Sequence, residues 1–404
     1  MKKLYDVTFR FDPKDYDGEV RAVGLRGEFL FYESGLTGNT DETGMMDCTE
    51  KFPPSAYRDG LSNIGGIYYE PMVKNEDGIY ELTLKLPPEV YPYTFLVNPE
   101  LGEPSEKMFF MNMTLKDGSV RGLKNPEDAL AGKGDVNRMV HDPANRPVAP
   151  TVTGRQSNSE CYVGTPEECL RIPPADPAKR GTLTYLSYED VDGATQSIAV
   201  YLPAGYDRAK TYPLVLVSHG GGGNEVDWPS QGSIAYVMDN LIAQGRAKEA
   251  VLVCMNNSVY QWNYEKIARN CEERIIPFVE KLFSVSHEVK DRAFCGLSMG
   301  SMTTLYMYMH RTSVYDYYGA FSGGLSGGEN FTLEDPHLKD VVLMIGSGEE
   351  DMAYNEREIG VPPTIRALKA KGLPYIPYFV TGSHDWFCWP EMFAYFAEHV
   401  LWTK

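Results

Sequence analysis

The stretch Cys295-Gly296-Leu297-Ser298-Met299-Gly300 spells G-x-S-x-G, the spacing in which a serine can ride a sharp strand-to-helix turn. Glycines on either side allow the backbone to turn tightly enough to lift the hydroxyl above the sheet edge. The apolar Arg292-Ala293-Phe294-Cys295 before it reads as a strand, and the run from Ser301 to Met309 reads as a helix. That context makes acyl transfer through Ser298 the chemistry to test. A serine hydroxyl is a weak nucleophile at neutral pH, so it requires a positioned base, and the base requires an orienting acid.

Downstream of Ser298 the chain offers His310, His337, His384 and His399. His310 falls within the helix after the elbow, His337 in an acidic loop and His399 in a C-terminal helical pattern. His384, in Thr381-Gly382-Ser383-His384-Asp385-Trp386, follows the last expected strand, where a loop can carry an imidazole back over the serine. It is the expected base. The acid is expected after Val341-Val342-Leu343-Met344-Ile345, in Gly346-Ser347-Gly348-Glu349-Glu350-Asp351, with Asp351 chosen and Glu350 its rival. Asp385 is read as a brace for the histidine loop, because neighbouring side chains diverge along an extended segment.

A tetrahedral intermediate also needs donors for its oxyanion. His219-Gly220-Gly221-Gly222-Gly223-Asn224 follows a strand ending at Ser218, and glycines there permit close backbone approach. The N–H groups of Gly221 and Met299 are the expected donors, and His219 is expected to brace the loop. The run lacks the lysine of a G-x-x-x-x-G-K-[ST] phosphate cradle. Aromatic residues crowd the same loops: Trp228, Tyr260, Trp262, Tyr264, Trp386 and Trp389. Trp228, Trp386 and Tyr260 are the expected substrate-binding residues of a cleft suited to aromatic or sugar groups. The scheme calls for no metal and no cofactor.

The elements that must position these residues begin after Gly181. A hairpin from Leu183 to Tyr201 turns at Asp192-Gly193. Near-continuous apolar strands are then expected at Tyr212–Ser218, Ala250–Met255, Arg292–Cys295, Val341–Ile345 and Tyr375–Val380. Helices are expected at Ser233–Gln244, Cys271–Phe283, Met299–His310 and Pro363–Lys371. This alternation implies a mostly parallel sheet covered on both faces, with ligands beyond the carboxyl ends of its strands. Before it, residues 1–116 show short alternating strands such as Val7-Thr8-Phe9-Arg10-Phe11 and Tyr80 to Leu86, the pattern of a β-sandwich. Residues 117–180, rich in Pro, Gly, Asp and Asn, read as a long linker, and 181–404 as the catalytic domain.

At 404 residues two domains are expected. The formal net charge of -18, without a concentrated basic patch, argues against nucleic-acid partners. No apolar run is long enough for a membrane span. No apolar segment follows Met1-Lys2-Lys3-Leu4-Tyr5-Asp6, so the chain as it stands is read as cytoplasmic, or as secreted if a signal has been removed. Seven cysteines without a C-x-x-C pair suggest neither a zinc ribbon nor a disulfide scaffold, although Cys161 and Cys169 are close enough in sequence to bridge.

Together, Tyr201-Leu202-Pro203-Ala204-Gly205-Tyr206-Asp207, Tyr212 to Gly220, Gly296 to Gly300 and Gly382 to Trp386 resemble the first carbohydrate esterase family, which includes feruloyl and acetylxylan esterases with enterochelin esterases as relatives. The resemblance covers about Gly181 to Lys404. It implies the α/β-hydrolase fold, Ser298 as nucleophile, His384 as base, and Asp351 as acid through the match of Gly348-Glu349-Glu350-Asp351 to a Gly-x-x-Asp turn. Asp77-Gly78-Ile79-Tyr80 and Tyr91-Pro92-Tyr93-Thr94-Phe95 resemble the immunoglobulin-like module of glycogen-branching enzymes, here with Ile79 where that module carries tryptophan. The module is therefore expected to pack beside the active site rather than bind glycan. The activity implied is hydrolysis of hydroxycinnamoyl or acetyl esters of xylan fragments. Alternatives are a siderophore trilactone esterase and a non-catalytic carbohydrate-binding protein.

Overall fold

Strands made almost wholly of Val, Leu, Phe and Met can be satisfied only where both faces are covered. In the computed structural model, which describes residues 2–34, 50–103, 112–131, 134–145, 158–325, 332–354 and 360–404, such strands build the C-terminal unit. Its sheet comprises β1 (Thr182–Glu189), β2 (Thr195–Leu202), β3 (Leu214–Ser218), β4 (Val251–Met255), β5 (Arg292–Leu297), β6 (Tyr317–Phe321), β7 (Val342–Gly348) and β8 (Ile376–Val380). They lie in the order β1-β2-β4-β3-β5-β6-β7-β8. The β1–β2 hairpin and the β2–β4 pair are antiparallel, and the rest are parallel. Every residue of β3, β4 and β6 is buried. This is the α/β-hydrolase arrangement.

The helices follow as connectors. They are α1 (Ile234–Ala243), α2 (Tyr264–Asn270), α3 (Ile276–Leu282), α4 (Met299–His310), α5 (Val361–Ala370) and α6 (Trp389–Tyr395). α4 is buried on almost every side, as expected of a helix with no polar face, and Thr303 and Thr304 return their hydroxyls to the carbonyls of Met299 and Gly300. Where one helix was expected from Cys271, the chain is already helical at Tyr264. Asn263 caps it by accepting from the Lys266 N–H, and a π turn at Cys271–Ile275 joins α2 to α3. Strand β6 was not expected either. Its central Gly319 weakens the strand signal, yet the site is tight, since a Cβ would stand 2.9 Å from Phe321 Cζ and 3.0 Å from Cys295 Cβ.

The chain divides into two compact units, and among the described residues the first ends at Ile172 and the second starts at Pro173. Among the described residues the first is built from short β-strands, with a brief α-helix at Pro126–Ala131 and single 3-10 turns at Pro13–Asp15 and Pro54–Ala56. Tyr5–Phe11 pairs with Tyr80–Leu86, while Glu89–Val97 lies between Val23–Gly27 and two further strands, Arg138–Val140 and Ser159–Val163. Its core is aromatic, with Phe9, Phe11, Phe29, Tyr93 and Phe95 in edge-to-face contacts.

The stretch 117–180 therefore differs from the expected linker. It supplies Val120–Leu123, Arg138–Val140 and Ser159–Val163 to the first unit's sheet. Arg171, its side chain only 5% exposed, pairs with Glu89 at 2.9 Å and fastens the end of this stretch to the same strand. Strands of three to five residues separated by Pro and Asn give no periodicity from which to read them. Residues 146–157 of this stretch lie outside the described residues. Cys161 and Cys169 are free thiols. No helix among the described residues is long and apolar enough to cross a membrane.

Candidate active site

Strand β5 delivers Ser298 to α4 through the turn that the glycines predict. Ser298 has φ 53° and ψ −114°, a conformation L-residues rarely adopt. Its N–H donates to the Phe321 carbonyl at 2.8 Å, tying the turn to the end of β6. The second glycine makes the turn possible: a Cβ at Gly300 would lie 2.6 Å from the Ser218 carbonyl oxygen and 2.7 Å from that of His219. Strand β3 and the glycine run thus press directly against the start of α4.

The acid turn and the histidine loop meet in the same way. A Cβ on Gly348 would stand 2.4 Å from the Gly382 carbonyl oxygen, and the Glu350 N–H donates to that oxygen at 2.9 Å. Across this junction Asp351 Oδ1 lies 2.9 Å from His384 Nδ1, and His384 Nε2 lies 3.0 Å from Ser298 Oγ. A carboxylate only accepts, so Nδ1 carries the proton and donates to Asp351, leaving Nε2 to accept from the serine hydroxyl. Burial alone would raise the Asp351 carboxyl. The facing imidazole, the Ser322 hydroxyl and the Ala353 N–H outweigh it and hold the group below its ordinary range. Burial likewise pulls His384 down, but Asp351 outweighs it and, with Asp385, keeps the imidazole above its ordinary value. Such a relay can take a proton from Ser298 and return it.

The glycine run completes the geometry. A Cβ on Gly220 would meet Leu297 Cδ1 at 2.7 Å and Ser298 Cβ at 3.4 Å, and Gly221 is the next residue on that turn. Met299 opens α4, where the first N–H groups have no partner within the helix and the helix dipole is positive. His219 is buried and fully engaged. Its Nε2 accepts from the Asn257 N–H at 2.8 Å, so Nδ1–H donates to the Gly220 carbonyl at 2.6 Å.

A family model described as a putative esterase matches residues 193–397, just over half of the chain. The chain belongs to this esterase family. The esterase is 30% identical over 228 residues to an endo-1,4-beta-xylanase/feruloyl esterase of Xylanibacter ruminicola, a match covering 53% of this chain and 30% of that protein. It is 25% identical over 256 residues to endo-1,4-beta-xylanase Y of Acetivibrio thermocellus, covering 57% and 23%. The chain thus spans less than a third of these curated relatives. Among solved structures, the enterobactin esterase of Shigella flexneri superposes with a TM-score of 0.50 at 14% identity, covering 97% of this chain and 92% of that one, a likeness of fold.

The aromatic residues of the esterase depart from expectation. Trp228 is 1% exposed, donates its indole N–H to the Ser218 carbonyl at 3.0 Å and packs edge-on against Trp386. Trp386 is itself buried between Trp228 and Trp389. Tyr260 is buried too, its hydroxyl donating to Asp190 at 3.0 Å. All three side chains are buried, and the polar edges of Trp228 and Tyr260 find partners inside the fold. Trp228 and Trp386 instead form a packed row with Trp389. Trp389, at its end, meets the His384 ring edge-to-face with centroids 5.1 Å apart.

Sequence reasoning missed Ser322. It follows β6 with φ 58°, accepts from the Trp389 indole N–H at 2.9 Å and faces the Asp351 carboxylate. A hydroxyl there can turn its proton toward the acid while its oxygen accepts from the indole. A serine immediately after an unrecognised strand gave no signal.

Proposed function

We propose that the chain is a serine carboxylic-ester hydrolase that cleaves hydroxycinnamoyl or acetyl esters carried on plant xylan fragments. The observation that carries this reading is the unbroken hydrogen-bond path Ser298–His384–Asp351 on a strained elbow. Ser298 Oγ attacks the ester carbonyl as His384 Nε2 accepts its proton. The N–H groups of Gly221 and Met299 hold the oxyanion of the tetrahedral intermediate. His384 returns the proton to the departing alcohol, leaving Ser298 acylated. Water then gives its proton to His384 and its oxygen to the acyl carbon, releasing the acid and restoring the serine.

The feruloyl and xylan parts of the reading are supported by the relatives named above, and the acyl chemistry by the geometry. Ser298→Ala should lower kcat on methyl ferulate by about 10⁴-fold or more. Normal turnover by that variant would end the assignment. Comparing methyl ferulate, acetylated xylo-oligosaccharide and enterobactin as substrates fixes the ester class. Preference for the trilactone would replace the xylan reading with a siderophore one.

A further inference from the structure

The turn after β4 carries the molecule's most exposed tryptophan. Trp262 is 51% exposed, whereas Trp228, Trp386 and Trp389 are buried. Leaving an indole in water forgoes a large apolar burial, so its position is informative. Gln261 and Trp262 both have positive φ, 47° and 67°, which non-glycine residues adopt rarely and which cluster at ligand sites.

The turn is fastened on both sides of Trp262. Asn257 donates its backbone N–H to His219 and its side-chain amide to Ser218 Oγ at 2.9 Å. Ser258 Oγ donates to the Gly223 carbonyl at 2.8 Å, so both ends of the glycine run are fastened to this turn. On the other side the buried Tyr260 and the helix cap Asn263 fix the chain. Trp262 is thus carried on a backbone anchored to either side of it. Its Cζ2 lies 3.8 Å from where a Cβ of Gly221 would be, and the neighbouring Gly220 faces Ser298. The indole therefore borders the proposed oxyanion loop.

We infer that Trp262 is a specificity-determining residue whose indole stacks on the aromatic ring of a hydroxycinnamoyl acyl group while Ser298 attacks its carbonyl. This rests on the ester-hydrolase reading above. A flat apolar indole gains most from a flat aromatic partner, and it offers nothing to a small acyl group such as acetyl or butanoyl. Binding made equally in ground and transition states appears in KM rather than kcat.

The test compares methyl ferulate with methyl butanoate, which share a leaving alcohol, in the full-length protein and its Trp262→Ala and Trp262→Phe variants. Trp262→Ala should raise KM for methyl ferulate about tenfold with kcat within about twofold, leave methyl butanoate unchanged, and Trp262→Phe should retain most of the affinity. Equal losses on both esters, or none on either, would overturn the inference while leaving the hydrolase reading intact. A loss seen with a feruloylated arabinose but not with methyl ferulate would place the indole under the sugar and also overturn it. A wild-type protein that cleaves neither ester would instead overturn the hydrolase reading.

Discussion

His384 stands between two carboxylates of unequal role. Asp351 accepts its Nδ1 proton, while Asp385 only adds negative charge nearby and spends its hydrogen bonds on Ser383, Phe387 and Cys388. Both raise the proton affinity of the imidazole, and the imidazole must be neutral to act as base. Activity is therefore lost as pH falls through a His384 pKa lying above the ordinary value of about 6.5. Asp385→Asn should move the acid limb of kcat/KM down by a few tenths of a pH unit, because it removes one raising charge. A limb that stays put would remove Asp385 from the electrostatics. Ser322 acts one step further out. Ser322→Ala should lower kcat about fivefold or more with KM little changed, and Trp389→Phe, which keeps the ring but loses the N–H, should give part of the same loss in steady-state assays. Ser298, His384 and Asp351 were legible from motif and chain order. Ser322 was not, since it follows a strand end and its partners in space come from the acid turn and the start of α6.

At the scale of elements, the site is assembled where backbones touch. The second glycine of the elbow motif is needed for contact with β3, and Gly348 for contact between the acid turn and the histidine loop. Gly300→Ala should cost about 2 kcal/mol or more, read as a lowered midpoint in chemical denaturation, because the clash is with backbone rather than a movable side chain. Gly222→Ala, at φ 71° with open space around it, should cost less, its penalty being conformational alone. Four of the five apolar strands and the start of α4 could be read from the sequence because burial on both faces leaves continuous apolar runs, and the edge strand Ile376–Val380 from its apolar residues alone. Tyr317–Phe321 could not, because Gly319 interrupts it, and the strands within 117–180 could not, because they are too short to show a period. The aromatic assignments failed for a related reason. Composition reports that a tryptophan is near a loop but not which way it faces, and hydrogen bonding turned Trp228 and Tyr260 inward while strained backbone turned Trp262 out.

Over the whole molecule, 404 residues divide into an all-β unit and an α/β-hydrolase unit, each with its own buried core. The surface carries a formal net charge of -18, so the protein should pass unretained through heparin at about 50 mM salt, whereas binding would reveal a basic patch that the sequence does not show. In the proposed reaction everything nevertheless turns on one hydroxyl, that of Ser298. A fluorophosphonate acts on a serine only where a base activates it, so mass spectrometry of the labelled protein tests the account without presuming a substrate. The account predicts a single covalent adduct on the peptide containing Ser298, abolished in Ser298→Ala and strongly slowed in His384→Ala. An unlabelled Ser298, or labelling that survives its replacement, would contradict it.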